Sequence, residues 1–253
     1  MEIELAVIGG TGLYRLAALD GEQAFEGDTI YGSPSSAVRV GSIAGHRVAF
    51  LARHGEGHSV PPHRINYRAN LRRLADLGAT RVLAISAVGG IGARFGPRVL
   101  VVPDQIIDYT WGRTSTICDE PGTPVVHVDF GDPYTESLRQ EVLGAAGKAG
   151  IAVVDGGCYG ATQGPRLESC AEIVRLRRDG CDLVGMTGMP EAGLAREMGL
   201  DYACLALVAN WAAGCGASGG PEQAAEITMA EVLANVEAAT APLPRLLEAL
   251  LTR

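Results

Sequence analysis

The strand–helix–strand pattern from Gly185 to Trp211 (GMTGMPEAGLAREMGLDYACLALVANW) constrains the fold of this chain most strongly. Thr187 and Gly188 are candidate N-caps, and the helical pattern that follows them stops at Gly199. The next residues, DYACLALVA, form a nearly continuous apolar run. Such a run is typical of a strand buried on both faces of a helix-covered sheet. The pattern therefore predicts an α/β protein.

Both ends of this unit suggest ligand binding. The helix start offers free backbone N–H groups and a favourable dipole to an anion. Asn210 follows the apolar run, at the strand end where open α/β sheets usually bind their ligands. The stretch alone predicts an anion site beside a neutral recognition site. It leaves open that the unit is only scaffold and that Asn210 forms a turn.

Composition and charge narrow the class of protein. The chain has 253 residues, 47% of them hydrophobic, and no linker divides it, so residues 1–253 are expected to form one domain. The formal net charge of −8 argues against nucleic acid or an anionic membrane as the main partner. The start, MEIELAVIGG, is typical of a short strand and not of a signal peptide, and no apolar run is long enough to cross a bilayer. A cytoplasmic protein is therefore expected.

Small polar groups follow several predicted strands. The first strand runs into a glycine turn (IELAVIGGTGLY) that matches neither a Walker loop nor a G-x-G-x-x-G fingerprint. The run AVRVGSIAGHRVAFLARHG reads as two strands around Ala44 and Gly45 and carries the basic pair Arg53 and His54 at its end. The buried strand ATRVLAISA ends in Ser86 and Ala87. Together with the helix start described above, these groups form a candidate oxyanion site. Its members are Thr11, Arg53, His54, Ser86, Ala87 and Thr187.

The histidines His54, His58 and His63 raise the question of a metal site. Gly55 and Gly57 break the helix that would align such ligands, and no Cys or second acidic cluster is nearby. A mobile loop that carries basic residues toward an anion fits better than a metal site. A solvated loop with satisfied histidines is the alternative.

Three further segments extend the candidate site. Glu168 stands at the predicted start of a helix, where the dipole alone could explain a carboxylate and where a recognition role is the alternative. Residues 113–135 carry many turn formers and no clear periodicity, which indicates an excursion that could reach a neighbouring subunit. After Asn210, the small residues AAGCGASGG form a candidate lid.

Six motifs occur in order across most of the chain: IGGTGL, LARHG, NYRAN, GPRLESCAE, MTGMPE and AREMGLDYACLALVAN. With these motifs, the chain resembles the trimeric purine nucleoside phosphorylase and methylthioadenosine phosphorylase family. The resemblance implies a single α/β domain with a mixed β-sheet, partly closed into a barrel and flanked by helices. It also implies phosphorolysis, in which inorganic phosphate displaces a purine from C1′ of a ribosyl group without a metal or organic cofactor.

The resemblance also implies roles for the residues that match. The oxyanion residues would hold phosphate, His54 and Asn210 would be catalytic, and Met186 would lie under the ribose. His127, in the excursion, would complete the site of a neighbouring subunit, so a homotrimer is expected. Asn210 and Glu168 would face the purine, and Trp211 and Ala212 would also bind the substrate.

Two positions distinguish branches of that family by the purine they accept. The adenine-specific branch has an Asp where this chain has Asn210 and a Ser where it has Glu168. The N1–H of a 6-oxopurine is a donor that an ionised Glu168 can accept, whereas adenine N1 is itself an acceptor. A mismatched buried polar group costs roughly 1–3 kcal/mol. The pair therefore predicts a preference for 6-oxopurines.

Two further positions indicate which group the substrate carries at its 5′ position. Within the segment ITMAEVL, Met229 stands where ordinary nucleoside phosphorylases use a His to hold a 5′-hydroxyl, and Val232 follows one turn later. An apolar lining suits a methylthio group and leaves a hydroxyl unpaired. The combination predicts 5′-methylthioinosine as the preferred substrate. The alternatives are a general inosine and guanosine phosphorylase, a methylthioadenosine phosphorylase, and a nucleoside-binding protein without catalytic activity.

Overall fold

A computed structural model describes residues 2–13, 19–119, 122–217 and 226–252. Its strands form one mixed, 11-stranded sheet within these residues. The strands are, in chain order, β1 (Leu5–Gly9), β2 (Asp20–Phe25), β3 (Val38–Ile43), β4 (His46–Ala52), β5 (Arg81–Gly90), β6 (Leu100–Val102), β7 (Gln105–Asp108), β8 (Val153–Asp155), β9 (Cys158–Ala161), β10 (Leu183–Gly185) and β11 (Asp201–Trp211).

Helices cover both faces of this sheet. They are α1 (Tyr67–Asp76), α2 (Glu136–Lys148), α3 (Cys170–Arg178), α4 (Gly188–Glu197), α5 (Met229–Thr240) and α6 (Leu243–Leu251). Two short 3-10 turns, Glu56–His58 and Pro62–Arg64, lie between β4 and α1. None of the helices in the described part of the chain is long and apolar enough to span a membrane.

The long strand β5 is the branch point of the sheet. One of its edges pairs with β11 from Arg81 to Gly90. Its other edge pairs first with β1, in parallel, at residues 82–84, and then with β10, antiparallel, at Gly89 and Gly90. Because β1 and β10 run toward each other, their carboxyl ends meet opposite residues 85–88 of β5. This junction places several strand ends at one point of the sheet.

The hydrophobic core has two main layers because successive side chains of a strand point to opposite faces. Val82 and Ala84 of β5 pack in a cluster that contains Leu71 of α1 and Leu194 of α4. Leu83 and Ile85 belong to a second cluster on the opposite face, with Leu138 of α2, Val236 of α5 and Leu246 of α6. Burial on both faces explains why β5 and β11 read as nearly continuous apolar runs.

The predicted mixed α/β fold is confirmed, and so is the hairpin between β3 and β4. Ala44 and Gly45 have φ values of 50° and 85°, which are the positive values that a tight two-residue hairpin needs. The candidate lid is only partly described, because residues 218–225 lie outside the described ranges.

Two local predictions are wrong. Ser86 and Ala87 do not end a strand, since β5 continues to Gly90 by pairing with β11. Glu168 does not begin a helix, since Ser169 is the N-cap of α3 and forms a capping box with Glu172. The dipole explanation of Glu168 therefore gives way to its side-chain contacts, described below.

Candidate active site

A cavity opens at the junction where β1 and β10 meet opposite β5. The structure brings most of the predicted site residues to its wall. By their chemistry they fall into three groups, named below the oxyanion end, the central polar pair and the apolar end. The predicted residues that line it are Thr11, Arg53, His54, Ser86, Ala87, Glu168, Met186, Thr187, Asn210, Ala212, Met229 and Val232.

The oxyanion end is built around Arg53, which follows β4 and is 0% exposed. Its guanidinium donates from Nε and Nη2 to the two carboxylate oxygens of Glu191 in α4, at 2.7 and 2.8 Å. Its Nη1 donates to the carbonyl of Ile85, at 3.0 Å. A guanidinium has five N–H groups, so one hydrogen on Nη1 and one on Nη2 remain for an oxyanion.

The charge on Arg53 is secured by this pairing. Burial alone would lower the pKa of Arg53, but the Glu191 charge and its hydrogen bonds raise the pKa well above the usual value. Gly10 makes the close approach of the β1 turn feasible, because a Cβ there would come within 2.8 Å of the Ile85 carbonyl oxygen. The loop backbone and the guanidinium can therefore face the same anion.

Two hydroxyls complete this end of the cavity. Ser86 of β5 and Thr187 beyond β10 are both buried, and their hydroxyl oxygens are 3.4 Å apart. The proximity follows from the β5–β10 junction, where Thr187 lies opposite the middle of β5. The backbone N–H of Thr187 donates to the hydroxyl oxygen of Tyr159, at 3.4 Å. The Thr187 hydroxyl does not cap α4, although Thr187 occupies the N-cap position.

His54 is held as a neutral ring beside Arg53. Its Nδ1 lies 2.9 Å from the carbonyl oxygen of Val60, and its ring stacks on His58 with the centroids 4.3 Å apart. Burial, helped by the nearby Arg53 charge, lowers the pKa of His54 to about 4. In the described part of the chain, no group of three or more His, Cys, Asp or Glu side chains could hold a metal ion.

The central polar pair consists of Glu168 and Asn210. Thr162, just beyond β9, donates its hydroxyl to Oε1 of Glu168 at 2.6 Å, which leaves Oε2 available in the cavity. Asn210 donates from Nδ2 to the carbonyl of Trp211 at 2.7 Å, which leaves its second N–H and its Oδ1. The register of β11 shifts between Val208 and Asn210, and such a bulge re-aims a side chain.

The apolar end is formed by the start of α5 and the segment before it. Ile227, Met229 and Val232 line the cavity there. Val232 is 9% exposed, whereas Met229, the first residue of α5, is 61% exposed. This end of the cavity therefore has an apolar wall with one open edge.

Two predicted residues lie elsewhere in this chain. Trp211 is next to Asn210 on a strand, so the two side chains point to opposite faces, and its ring packs against Gly96. His127 is exposed and belongs to a segment without helix or strand, and it is absent from the cavity wall of its own chain.

Three supporting residues escaped the sequence analysis: Glu191, Thr162 and Arg113. Arg113 donates from Nη1 to the carbonyls of Met186 and Met189, at 2.8 and 2.7 Å, and from Nη2 to the carbonyl of Gln163, at 2.8 Å. It thereby ties the excursion to the ends of β9 and β10. Glu191 did give a signal, since a carboxylate within a small apolar helix needs a buried partner.

Known proteins resemble this chain over almost its whole length. Residues 4–252 match the family described as the phosphorylase superfamily. A protein of Xanthomonas campestris pv. campestris named probable S-methyl-5′-thioinosine phosphorylase is 67% identical over 97% of this chain and 96% of its own length. A protein of the same name from Xylella fastidiosa is 62% identical over 97% of this chain and 96% of its own. The crystal structure of a methylthioadenosine phosphorylase from an antarctic soil metagenomic library is 34% identical, with a TM-score of 0.88 over 99% of this chain and 86% of that one.

Proposed function

We propose that this chain, which belongs to the phosphorylase superfamily, catalyses phosphorolysis of 5′-methylthioinosine to hypoxanthine and 5-methylthioribose 1-phosphate. One observation carries the proposal. A single cavity is lined by hydroxyl and guanidinium donors, by a carboxylate and an amide, and by apolar side chains. These three parts match phosphate, a 6-oxopurine and a methylthio group in turn.

The reaction needs stabilisation of two developing charges. A phosphate oxygen forms a bond to C1′ while the bond from C1′ to N9 breaks, and the electron pair of that bond goes to the purine. The sugar becomes cationic, and a phosphate held by Arg53, Ser86 and Thr187 stabilises that charge. The purine becomes anionic, and the free N–H of Asn210 stabilises the second charge. Interactions that strengthen in the transition state raise the rate. No metal or organic cofactor takes part in this proposal, since inorganic phosphate is the co-substrate.

Recognition of the base is assigned to Glu168 and Asn210. The Thr162 hydroxyl occupies one carboxylate oxygen of Glu168, so the other oxygen can accept the N1–H of hypoxanthine. Asn210 has one N–H left, which can donate to O6 or N7 of the departing purine. Adenine would bring N1, an acceptor, against the carboxylate, a mismatch that costs roughly 1–3 kcal/mol.

The apolar end supports the methylthio substituent. Ile227, Met229 and Val232 offer no side-chain hydrogen-bonding group, so a 5′-hydroxyl would lose its bonds to water without replacement. Met229 is 61% exposed, so a 5′-hydroxyl at this open edge could stay hydrogen-bonded to water. This exposure favours a second candidate function, that of a general 6-oxopurine nucleoside phosphorylase.

Assembly and location complete the proposal. We assign a homotrimer in the cytoplasm, with His127 of one subunit reaching the cavity of the next. The support is that His127 lies in an exposed segment with Val125 and Val126, which are 72% and 55% exposed and would be covered by a neighbour.

The base assignment is tested by exchanging the two residues that face the purine. The variant that combines Asn210→Asp with Glu168→Ser should gain activity on 5′-methylthioadenosine relative to 5′-methylthioinosine, measured as the ratio of the two kcat/KM values. Asp76→Asn, on the exposed side of α1, is the matched control and should leave the ratio unchanged. An unchanged ratio in the double variant would contradict the assignment.

Phosphate dependence is the second arm of the test. Release of hypoxanthine should require inorganic phosphate, and Arg53→Ala should abolish it, because the guanidinium supplies the charged donors of the oxyanion end. Release of base at the same rate without phosphate would instead indicate a hydrolase.

A further inference from the structure

The tautomer of His54 is fixed by its surroundings. A carbonyl oxygen can only accept, so the contact of 2.9 Å between Nδ1 and the Val60 carbonyl places a hydrogen on Nδ1. In a neutral imidazole, the other nitrogen, Nε2, is then an acceptor. His54 lines the cavity, and no hydrogen bond from Nε2 to a described residue accompanies the Nδ1 contact. Nε2 is therefore the polar atom that the ring can offer to a ligand.

Protonation of Nε2, which would give the ring a positive charge, is unfavourable in these surroundings. Arg53, the preceding residue, carries a full positive charge, and His58 stacks on the ring from the following 3-10 turn. Glu191 of α4 supplies the nearby negative charge, but both of its oxygens are engaged by Arg53. The ring is also only 5% exposed, so water cannot solvate the charge.

The oxyanion end therefore contains one group that can only accept, among groups that can donate. The remaining N–H groups of Arg53 and the hydroxyls of Thr11, Ser86 and Thr187 can all donate to an anion. Nε2 of His54 can only accept. The charges of Arg53 and Glu191 cancel in this part of the site, so hydrogen-bond matching decides which anion fits best.

We propose that the oxyanion end selects a protonated tetrahedral oxyanion, whose hydroxyl hydrogen is donated to Nε2 of His54. Hydrogen phosphate and hydrogen arsenate carry such a hydrogen, whereas sulfate and fluorophosphate are dianions without one at neutral and mildly alkaline pH. This inference rests on the proposed phosphate site and adds the ionic form of phosphate that it takes. An unprotonated oxygen would face the Nε2 lone pair, and the mismatch would weaken binding about 10- to 100-fold.

The test compares the four anions on the intact protein at mildly alkaline pH, where phosphate is mainly a dianion like sulfate. Dissociation constants are measured by titration calorimetry in the absence of nucleoside. Phosphate and arsenate should bind more tightly than sulfate and fluorophosphate by about tenfold or more. Equal binding of all four anions would overturn the proposal, and this arm needs no substitution.

A substitution then assigns the effect to His54. His54→Leu removes the acceptor, so the preference for a protonated anion should be lost and the ratio of sulfate to phosphate dissociation constants should fall toward one. His63→Leu is the matched control, because His63 is exposed and lies outside this cavity, and it should keep the wild-type ratio. A His54→Leu protein that keeps the wild-type ratio would refute the role of His54.

The proposed function and the proposed anion selection can be refuted independently. Absence of phosphate-dependent base release from 5′-methylthioinosine, in a protein that still prefers phosphate over sulfate, would refute the function and leave the anion selection standing. Base release that depends on phosphate, in a protein that binds all four anions equally, would do the reverse.

Discussion

Glu191→Gln is the substitution that most directly tests how the oxyanion end is held. Glu191 and Arg53 are both 0% exposed, and the carboxylate accepts two hydrogen bonds from the guanidinium. The hydroxyl of Tyr202 donates to the same carboxylate at 2.8 Å. The amide of Gln would turn one N–H toward the guanidinium and leave the buried positive charge without its counter-ion.

The expected cost follows from the burial of this pair. Removing one partner of a buried ion pair costs about 3–5 kcal/mol. For a chain of this size, that loss corresponds to a fall in unfolding temperature of about 6–20 °C. The guanidinium would also lose its fixed orientation, and a lost hydrogen bond to a charged group should raise the KM for phosphate by about 10- to 100-fold. We expect kcat at saturating phosphate to change less, because Glu191 acts through Arg53.

Unfolding in urea and steady-state kinetics measure the two effects separately. Wild type should bind phosphate more tightly than the variant, so phosphate should stabilise wild type more, and the difference in stability between wild type and Glu191→Gln should widen at saturating phosphate. The control is Asp76→Asn, which breaks an exposed pair with Arg72 at 2.8 Å and should cost at most about 0.5 kcal/mol.

Two outcomes would refute this reasoning. A Glu191→Gln protein as stable as Asp76→Asn would show that the buried pair does not support the fold. A destabilised protein with an unchanged KM for phosphate would show that Glu191 has a structural role only and does not position Arg53.

Three further predictions concern single residues. Thr162→Val removes the donor to Glu168, so kcat/KM for 6-oxopurine nucleosides should fall about tenfold and Thr162→Ser should restore it; equal activity would refute the contact. Met229→His adds a donor at the apolar end and should raise activity on inosine relative to 5′-methylthioinosine; an unchanged ratio would place Met229 outside the pocket. The pKa of His54 is lowered from 6.5 to about 4, so the unfolded chain binds more protons between these values, and urea unfolding should show stability falling by up to about 3 kcal/mol as pH drops through this window. His54→Gln should lessen that loss, and an unchanged pH profile would contradict it.

Local patterns were enough to predict most of the elements around the site. The apolar run of β11 and its flanking helix indicated a buried strand, and turn residues located the hairpin at Ala44 and Gly45. The polar groups beyond β1, β4 and β10 were recognisable because a ligand-binding α/β sheet exposes such groups at strand ends. These polar groups could therefore be identified without knowing which strands pair in the sheet.

One error arises where pairing between distant segments decides the outcome, and another could have been avoided. Ser86 looked like a strand end, but β5 continues because β11 pairs with it to Gly90 while β1 leaves its other edge. Trp211 was assigned to the site together with Asn210, although strand alternation sends neighbouring side chains to opposite faces. The alternation rule could have excluded Trp211 from the sequence alone.

Two of the supporting residues, Thr162 and Arg113, gave no signal in the sequence for a different reason. Thr162 and Glu168 are close in sequence, but only the fold of the turn between them brings the hydroxyl within 2.6 Å of the carboxylate. Arg113 lies in a segment without periodicity, and its partners are mainly backbone carbonyls, which carry no sequence signal. Such contacts become predictable only after the chain path is known.

The most direct test of the proposed function is phosphorolysis of 5′-methylthioinosine, 5′-methylthioadenosine, inosine and adenosine, side by side at equal phosphate concentration. The account predicts that 5′-methylthioinosine has the highest kcat/KM, because it alone matches both the Glu168–Asn210 pair and the apolar end. Equal activity on inosine would contradict the assignment of the apolar end. Faster cleavage of 5′-methylthioadenosine would contradict the assignment of Glu168 and Asn210.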